Sequence, residues 1–542
     1  GGRGGGAVPS PVRNVIANWT AFVFSAVVGF VLSPFIVRSL GDAAYGAWVL
    51  IGSTVGYLGL LDLGIRGAVT RYVANLHAGT EHREASLMAS AALFIFSIAG
   101  AVAIAACVVI ALGITRLFAV PDHLQSVAQA VVIILGINIA VTLVSGVYGG
   151  VITALQRFDL GSGIGIAIEA LRALAVFTTL KLGGGILPLA LVQLGCSVLG
   201  GTLSFLVSRM LYPELRVPVR GWHRGHVKRL LGFSTYSLVL QVAGMVAVRA
   251  YAFVIGAFMH VGTITFYAIA ANLIEYARTL VSGISHTITP RVSALERSAS
   301  ISQIARIPVT AGRLAGLVLF PVVTTFLLRG DTFIGLWMGP QYAEHSGRIL
   351  VLLAIALGFS VGAHVAVSVL MGLHRHRALV PGWIAEAAAN VLLSVVLIRP
   401  YGLVGVALGA AIPNLLVSVV YMPYVLRRTL GVSPTSIVSE VWLRPAVAMI
   451  PFAAATLLIE RFWPASSVIQ FFLQVASALP VAALGAWFVG LTGAERAMVG
   501  RRLLAPFRAH RPQRRPEPLA AEAPRISGRR SARPRRRART AT

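Results

Sequence analysis

Apolar runs of about 20 residues recur from one end of the chain to the other, separated by short stretches rich in Gly, Pro and Arg. A run of that length crosses the hydrocarbon core of a bilayer as one helix. The pattern therefore predicts an all-α polytopic membrane protein with 14 spans, centred on 15–37, 44–63, 86–112, 127–153, 160–180, 186–208, 230–258, 261–289, 307–328, 349–372, 378–398, 402–426, 442–459 and 467–491. The fourth, seventh and eighth exceed what a straight crossing needs and call for tilt or breaks.

The second span reads "GDAAYGAWVLIGSTVGYLGLLDLGIRGAV" and is unusually rich in glycine. Gly52 and Gly56 stand at GxxxG spacing, with Gly46, Gly59 and Gly64 as further notches, so neighbouring helices can approach closely, slide or bend there. Asp62 precedes Arg66 by four residues, which puts both on one helical face as a salt bridge that ends the helix.

Composition supports the membrane reading. Of 542 residues, 57% are hydrophobic and 12% charged, and mean hydropathy is +0.81, well above a soluble globular protein. The first apolar run has no small-residue cleavage site and reads as a true span behind a flexible GGRGGG tail. Lys and Arg are divided unevenly among the short loops: seventeen lie in alternate loops from Arg66 to Arg428, against seven in the others, which places both termini in the cytoplasm. The formal charge is +28, and 494–542 holds 15 Arg against three Glu. That tail has no apolar periodicity; it reads as disordered, suited to anionic lipid headgroups or a docking partner, and without the aromatic interleaving of nucleic-acid binding. Cys107 and Cys196 sit inside apolar runs and suggest neither disulfide nor metal.

Two segments echo one another. "FIVRSLGDAAYGAWVL" from Phe35 and "FVIGAFMHVGTITFYAIAANL" from Phe253 each leave a span, turn within a few residues and re-enter through Tyr45 or Tyr267. Six spans per half give the halves a common orientation, related by an axis along the membrane normal. The domain plan is a flexible N-tail (1–14), a six-helix bundle (15–210), a cytoplasmic connector (211–229), a second six-helix bundle (230–430), two additional helices (431–493) and the Arg-rich tail (494–542).

Those echoes, with "LLDLGIRGAVTRYVA", "GVYGGVITALQRFDL" and "YAIAANLIEYARTLVSGISHTITPRVSAL", resemble the Wzx-type oligosaccharide flippases of the multidrug/oligosaccharidyl-lipid/polysaccharide superfamily over about residues 10–490. The resemblance implies two bundles around a central cavity and transfer of a polyprenyl-diphosphate-linked glycan across the bacterial cytoplasmic membrane, with polysaccharide assembly proteins as possible partners. It also leads us to expect an acidic residue near the middle of the seventh span, where this chain has Arg249.

A charge at the bilayer centre costs about 2.5–3.5 kcal/mol even on the lenient insertion scale, so intramembrane charges should face protein or water. Glu169 and Arg172 in the fifth span, and Glu275 and Arg278 in the eighth, fall three apart on one face. Arg249 and Arg313 lack an acidic neighbour at helical spacing, and Glu386 stands alone in the eleventh span. The candidate substrate-binding residues are Arg249, Arg278, Arg172 and Arg313, since guanidinium forks match phosphate oxygens. Glu275, Glu169, Asp62 and Arg66 are candidates for charge pairing or ion coupling. Internal ion pairs that hold the bundles together are the competing reading of all of these. The lone histidines His260, His286 and His364 read as structural.

No Walker A, HExxH or CxxC motif is present, and the longest outer loop, Arg329 to Arg348, is about 20 residues, too short for the active site of a membrane-embedded polymerase. The expectation is a flippase, not an enzyme, with no cofactor and no metal. A drug-cation antiporter of the same superfamily and a lipid-linked peptidoglycan-precursor flippase stay open as alternatives.

Overall fold

The structure, a computed structural model, describes residues 11–217, 222–231, 235–295 and 300–497. The first ten residues, connector positions 218–221 and the tail from 498 lie outside the described residues, and the reading of the tail with them; so does the side chain of His286. All regular structure among the described residues is helical. Among the described residues, eleven stretches are long and apolar enough to cross a membrane, which makes the chain a polytopic all-α membrane protein.

Two of these stretches, of 60 and 55 residues, are far longer than one crossing needs, and each contains a glycine break. In α1 (Pro11–Gly56) the break is Gly41, at φ 74° and ψ 168°, a backbone conformation open to glycine and strained for other residues. The expected spans 15–37 and 44–63 are thus one helix interrupted at its turn, and it passes at Tyr57–Asp62 into a tighter 3-10 turn. Gly402, at φ 56°, divides α12 (Val380–Leu416; α labels here follow chain order) into a hairpin. The Ser394 hydroxyl donates to the Val406 carbonyl at 3.4 Å across that hairpin, and a Cβ on Gly405 would collide with the Leu397 carbonyl.

The remaining helices of the first half are α2 (Ile65–Ala78), α3 (His82–Leu117), α4 (Asp122–Ala154), α5 (Phe158–Lys181) and α6 (Ile186–Leu211). Here α4 packs against α2, α3 and α6, and α1 against α5. A short α7 (Arg224–Leu231) leads to α8 (Thr235–Phe258), α9 (Thr263–Leu295), α10 (Ile301–Trp337) and α11 (Pro340–Gly372). In this half α11 packs on α9, α10 and α12, and α12 on α8. A π turn carries α12 into α13 (Met422–Leu430), and α14 (Pro434–Phe462) and α15 (Val468–Gly490) lie against α10. Many large apolar side chains remain exposed, among them Leu112, Leu392, Val396 and Ile469, as lipid-facing surface requires.

The two echoing segments meet at the end of the bundle that carries Gly41. Thr265 donates to the Asp42 carbonyl at 2.9 Å, Asn272 donates to the Tyr45 hydroxyl at 3.4 Å, and a Cβ on Gly46 would collide with the Val261 carbonyl. Tyr342 adds a hydrogen bond to the Asp42 carboxylate at 2.5 Å, and Arg38 donates to the Trp337 and Met338 carbonyls at 3.2 Å. At the opposite end the connector is docked on the first half. His226 of α7 bonds Glu84 of α3 at 2.9 Å, and Trp222 stacks on Phe94 at 4.0 Å.

The supposed outer loop from Arg329 to Arg348 is a correction. It is helical apart from Met338 and Gly339, because α10 runs on to Trp337 and α11 starts at Pro340. Arg329 is fully buried: it donates to Gln474 at 2.6 Å and to Thr456 at 3.5 Å, faces Glu460 at 3.3 Å and lies 4.7 Å from the centre of the Phe471 ring. Its partners all belong to α14 and α15. A charge that hydropathy assigns to a loop instead fixes the last two helices to the bundle, each of its contacts offsetting part of the desolvation cost.

Candidate functional site

A cavity of about 360 Å³ lies within the second half, between α8, α9, α11 and both arms of α12. Its charged lining is Glu275, Arg278 and Glu386, and its polar lining includes His364, Asn390 and Asn414. The aromatic part is Trp383, Tyr251 and Tyr267, the two tyrosines stacked with centroids 4.4 Å apart. A size and mixture of this kind belong to small-molecule sites.

The helical spacing that paired Glu275 with Arg278 holds, at 3.3 Å. Their side chains are 55% and 28% exposed, so the α9 side of the cavity is accessible. Packing brings up groups that spacing left isolated. Asn414 donates to the Glu386 carboxylate at 2.8 Å from 28 residues away, and Glu386 and His364 line the same cavity as Arg278. His364 is anchored by the Ser360 carbonyl at 2.8 Å, and Asn390 by the Ala247 carbonyl at 3.0 Å. Sequence reasoning registered Glu386 and His364 one at a time; their convergence depends on which faces of α11 and α12 turn inward.

The other candidates are dispersed. Arg249 is exposed on the α8 face turned towards the first half, where its guanidinium would lie 2.7 Å from a Cβ placed on Gly56. The GxxxG spacing therefore accommodates an arginine at Gly56, while Gly52 has open space beside it. Glu169 and Arg172 pair at 3.2 Å on α5, in the first half. Asp62 and Arg66 pair at 3.5 Å around the left-handed turn at Leu63 and Gly64, and Arg66 lies over Gly146 of α4. They clamp the start of α2 and do not line the cavity.

Arg313 departs furthest from expectation. It is buried and pairs with Glu440, which also holds Arg444 at 3.0 Å. Glu440 sits in the π turn Ile437–Leu443 of α14, 127 residues from Arg313, so no helical spacing could reveal it. Of the four candidate arginines, Arg278 alone lines this cavity. The cavity itself carries one arginine and two glutamates.

Comparison with known proteins agrees with this architecture. The model of the family described as polysaccharide biosynthesis protein matches residues 12–296. The chain is 22% identical over 411 residues to a protein assigned as an O-antigen transporter in Shigella flexneri, covering 74% of this chain and 94% of that one. It is also 22% identical over 480 residues to the membrane protein EpsK of Bacillus subtilis, covering 86% and 90%. Among solved structures, the lipid II flippase MurJ in an inward closed conformation superposes with a TM-score of 0.69 at 12% identity, over 91% of this chain and all of that one. An inward-facing multidrug resistance MATE family transporter of the MOP superfamily gives 0.65 at 15% identity, over 76% and 96%. The fold is thus shared with MurJ and with this MATE transporter, and, with more than half of its length matched, the chain belongs to the polysaccharide biosynthesis protein family.

Proposed function

We propose that the protein is a flippase that carries polyprenyl-diphosphate-linked glycan across the bacterial cytoplasmic membrane for cell-surface polysaccharide assembly. The observation that carries this reading is an accessible cavity with charged and aromatic side chains in its lining, held among membrane-crossing helices in a member of the polysaccharide biosynthesis family. It is a transporter, not an enzyme; the relatives are named as transporters and flippases. The bundle would work by alternating access. Headgroup and sugars enter from the cytoplasm, the polyprenyl tail stays in lipid, and the contacts at the Gly41 end separate to release the glycan outside. Both termini are cytoplasmic in this scheme, and the Arg-rich tail meets anionic headgroups or assembly proteins.

Site roles follow from where each charge lies. Arg249, facing the first half from the second, and Arg278, at the cavity, are the diphosphate candidates, with Arg172 behind them. Arg313 is engaged by Glu440 and is read as structural. Glu275 and Glu169 position their arginines, and Asp62 with Arg66 closes a helix end. An inside-negative potential favours export of an anion by about 2.3 kcal/mol per charge per 100 mV, so transport needs no ATP site on this chain.

The test is transfer of a fluorescent polyprenyl-diphosphate oligosaccharide in vesicles containing the purified protein, against Arg249→Ala and Arg278→Ala variants. Transfer by the parent with loss in either variant is the expected result; no transfer and no binding of any such lipid overturns it. The two glutamates of the cavity favour one rival, an organic-cation antiporter, which the same vesicles test by uptake of a fluorescent cation. A peptidoglycan-precursor flippase shares the diphosphate chemistry and separates from this reading by the sugar accepted.

A further inference from the structure

The cavity contains more than a diphosphate site would use. Phosphate oxygens need an excess of donors and positive charge, whereas this space presents two carboxylates to one guanidinium. Neither carboxylate stands alone: Glu275 is held by Arg278 at 3.3 Å and Glu386 by the Asn414 amide at 2.8 Å. The same carboxylates and aromatic rings also attract an organic cation, the rival that the control below tests. Trp383 and Tyr251 line the same space, Tyr251 with one face stacked on Tyr267.

Aromatic faces beside groups that both donate and accept are what a sugar ring requires. One side of the ring is a sheet of C–H groups that packs on an aromatic surface, and its rim is a circle of hydroxyls. A volume of about 360 Å³ is at the small end for ligand sites and suits a short piece of glycan, not a whole repeat unit. We propose that this cavity is a sugar subsite, which stacks an uncharged ring on Trp383 and reads its hydroxyls or acetamido group through Glu386 and Asn414. Its paired carboxylates exclude acidic sugars. The inference rests on the glycan-transport reading and adds a selectivity to it: the diphosphate is held from Arg249 to the accessible α9 side of the cavity, where Arg278 stands, and the Trp383 side inspects a sugar.

The experiment is saturation-transfer NMR on the purified full-length protein in detergent, with methyl glucoside, N-acetylglucosamine and glucuronate as probes, and with tetraphenylphosphonium as the cation control. The expected result is saturation of at least one uncharged sugar, and at least tenfold weaker transfer to glucuronate. Trp383→Ala abolishes the signal, Trp383→Phe retains it, and Glu386→Gln raises the glucuronate signal at least threefold. The two conservative variants keep the test valid if Trp383→Ala fails to fold. The proposal is overturned if no uncharged sugar gives a signal, if glucuronate matches them, if the signal survives in folded Trp383→Ala, or if only tetraphenylphosphonium shows Trp383 dependence. Vesicle transfer separates the two readings. Trp383-dependent sugar binding without lipid transfer sinks the flippase and leaves the subsite; lipid transfer untouched by Trp383→Ala sinks the subsite and leaves the flippase.

Discussion

Replacing Arg329 by methionine removes a charge from a fully buried position while keeping most of its length. Deleting one member of a buried ion pair costs about 3–5 kcal/mol, because the abandoned partner stays desolvated. Here the abandoned partner, Glu460, is 25% exposed and also accepts a hydrogen bond from Thr332 at 2.7 Å, which moves the expected cost to the lower end. Loss of the 2.6 Å bond to Gln474 leaves that amide oxygen buried, while the methionine sulfur replaces part of the contact with Phe471. The net expectation is a loss of about 3 kcal/mol in reversible unfolding by a denaturing detergent, followed by circular dichroism. Glu460→Gln in the Arg329→Met background should restore part of it, giving a coupling of about 1–2 kcal/mol in a double-mutant cycle. If the two changes add within about 0.5 kcal/mol, the arginine is not held by that carboxylate and the account of the cluster fails.

Three further outcomes follow from the geometry. A Cβ on Gly262 would lie 3.6 Å from that of Asp42, inside the range for a disulfide, so the Asp42→Cys/Gly262→Cys protein should cross-link on oxidation. Vesicle transport should then fall to background and recover with reductant; full transport while cross-linked would show that the halves need not part there. Glu84→Gln should weaken the docking of α7 by about 1 kcal/mol, and speed tryptic cleavage at the exposed Arg224, Lys228 and Arg229 about fivefold; an unchanged rate would mean that His226 does not hold the connector. Gly402→Ala, at φ 56°, should destabilise the α12 hairpin by about 1–3 kcal/mol, read as a lower midpoint in the same detergent titration; an unaltered midpoint would contradict the positive φ.

Much of this molecule could be read along the chain because the relevant forces are local. Apolar runs mark membrane helices whatever surrounds them, and three-residue spacing pairs Glu169 with Arg172 and Glu275 with Arg278. The spacing rule stops at the helix surface. Arg313 and Glu440 meet because two helices 127 residues apart face one another, and Glu386 and Asn414 because the Gly402 break folds the two arms of α12 together. Arg329 misled for a related reason. Gly330 and Asp331 beside it lower the local hydropathy to that of a loop, while the groups that satisfy the arginine lie more than 120 residues further on.

The notch at Gly56 ties two distant positions into one heritable unit. Arg249 rests beside a residue without a side chain, and alanine at 56 would crowd the guanidinium and make its flexible end swing aside. Across homologues, an arginine at position 249 should therefore travel with glycine at position 56. A bulkier residue at 56 moves the guanidinium off its present place, so the two positions together set where the charge between the halves lies.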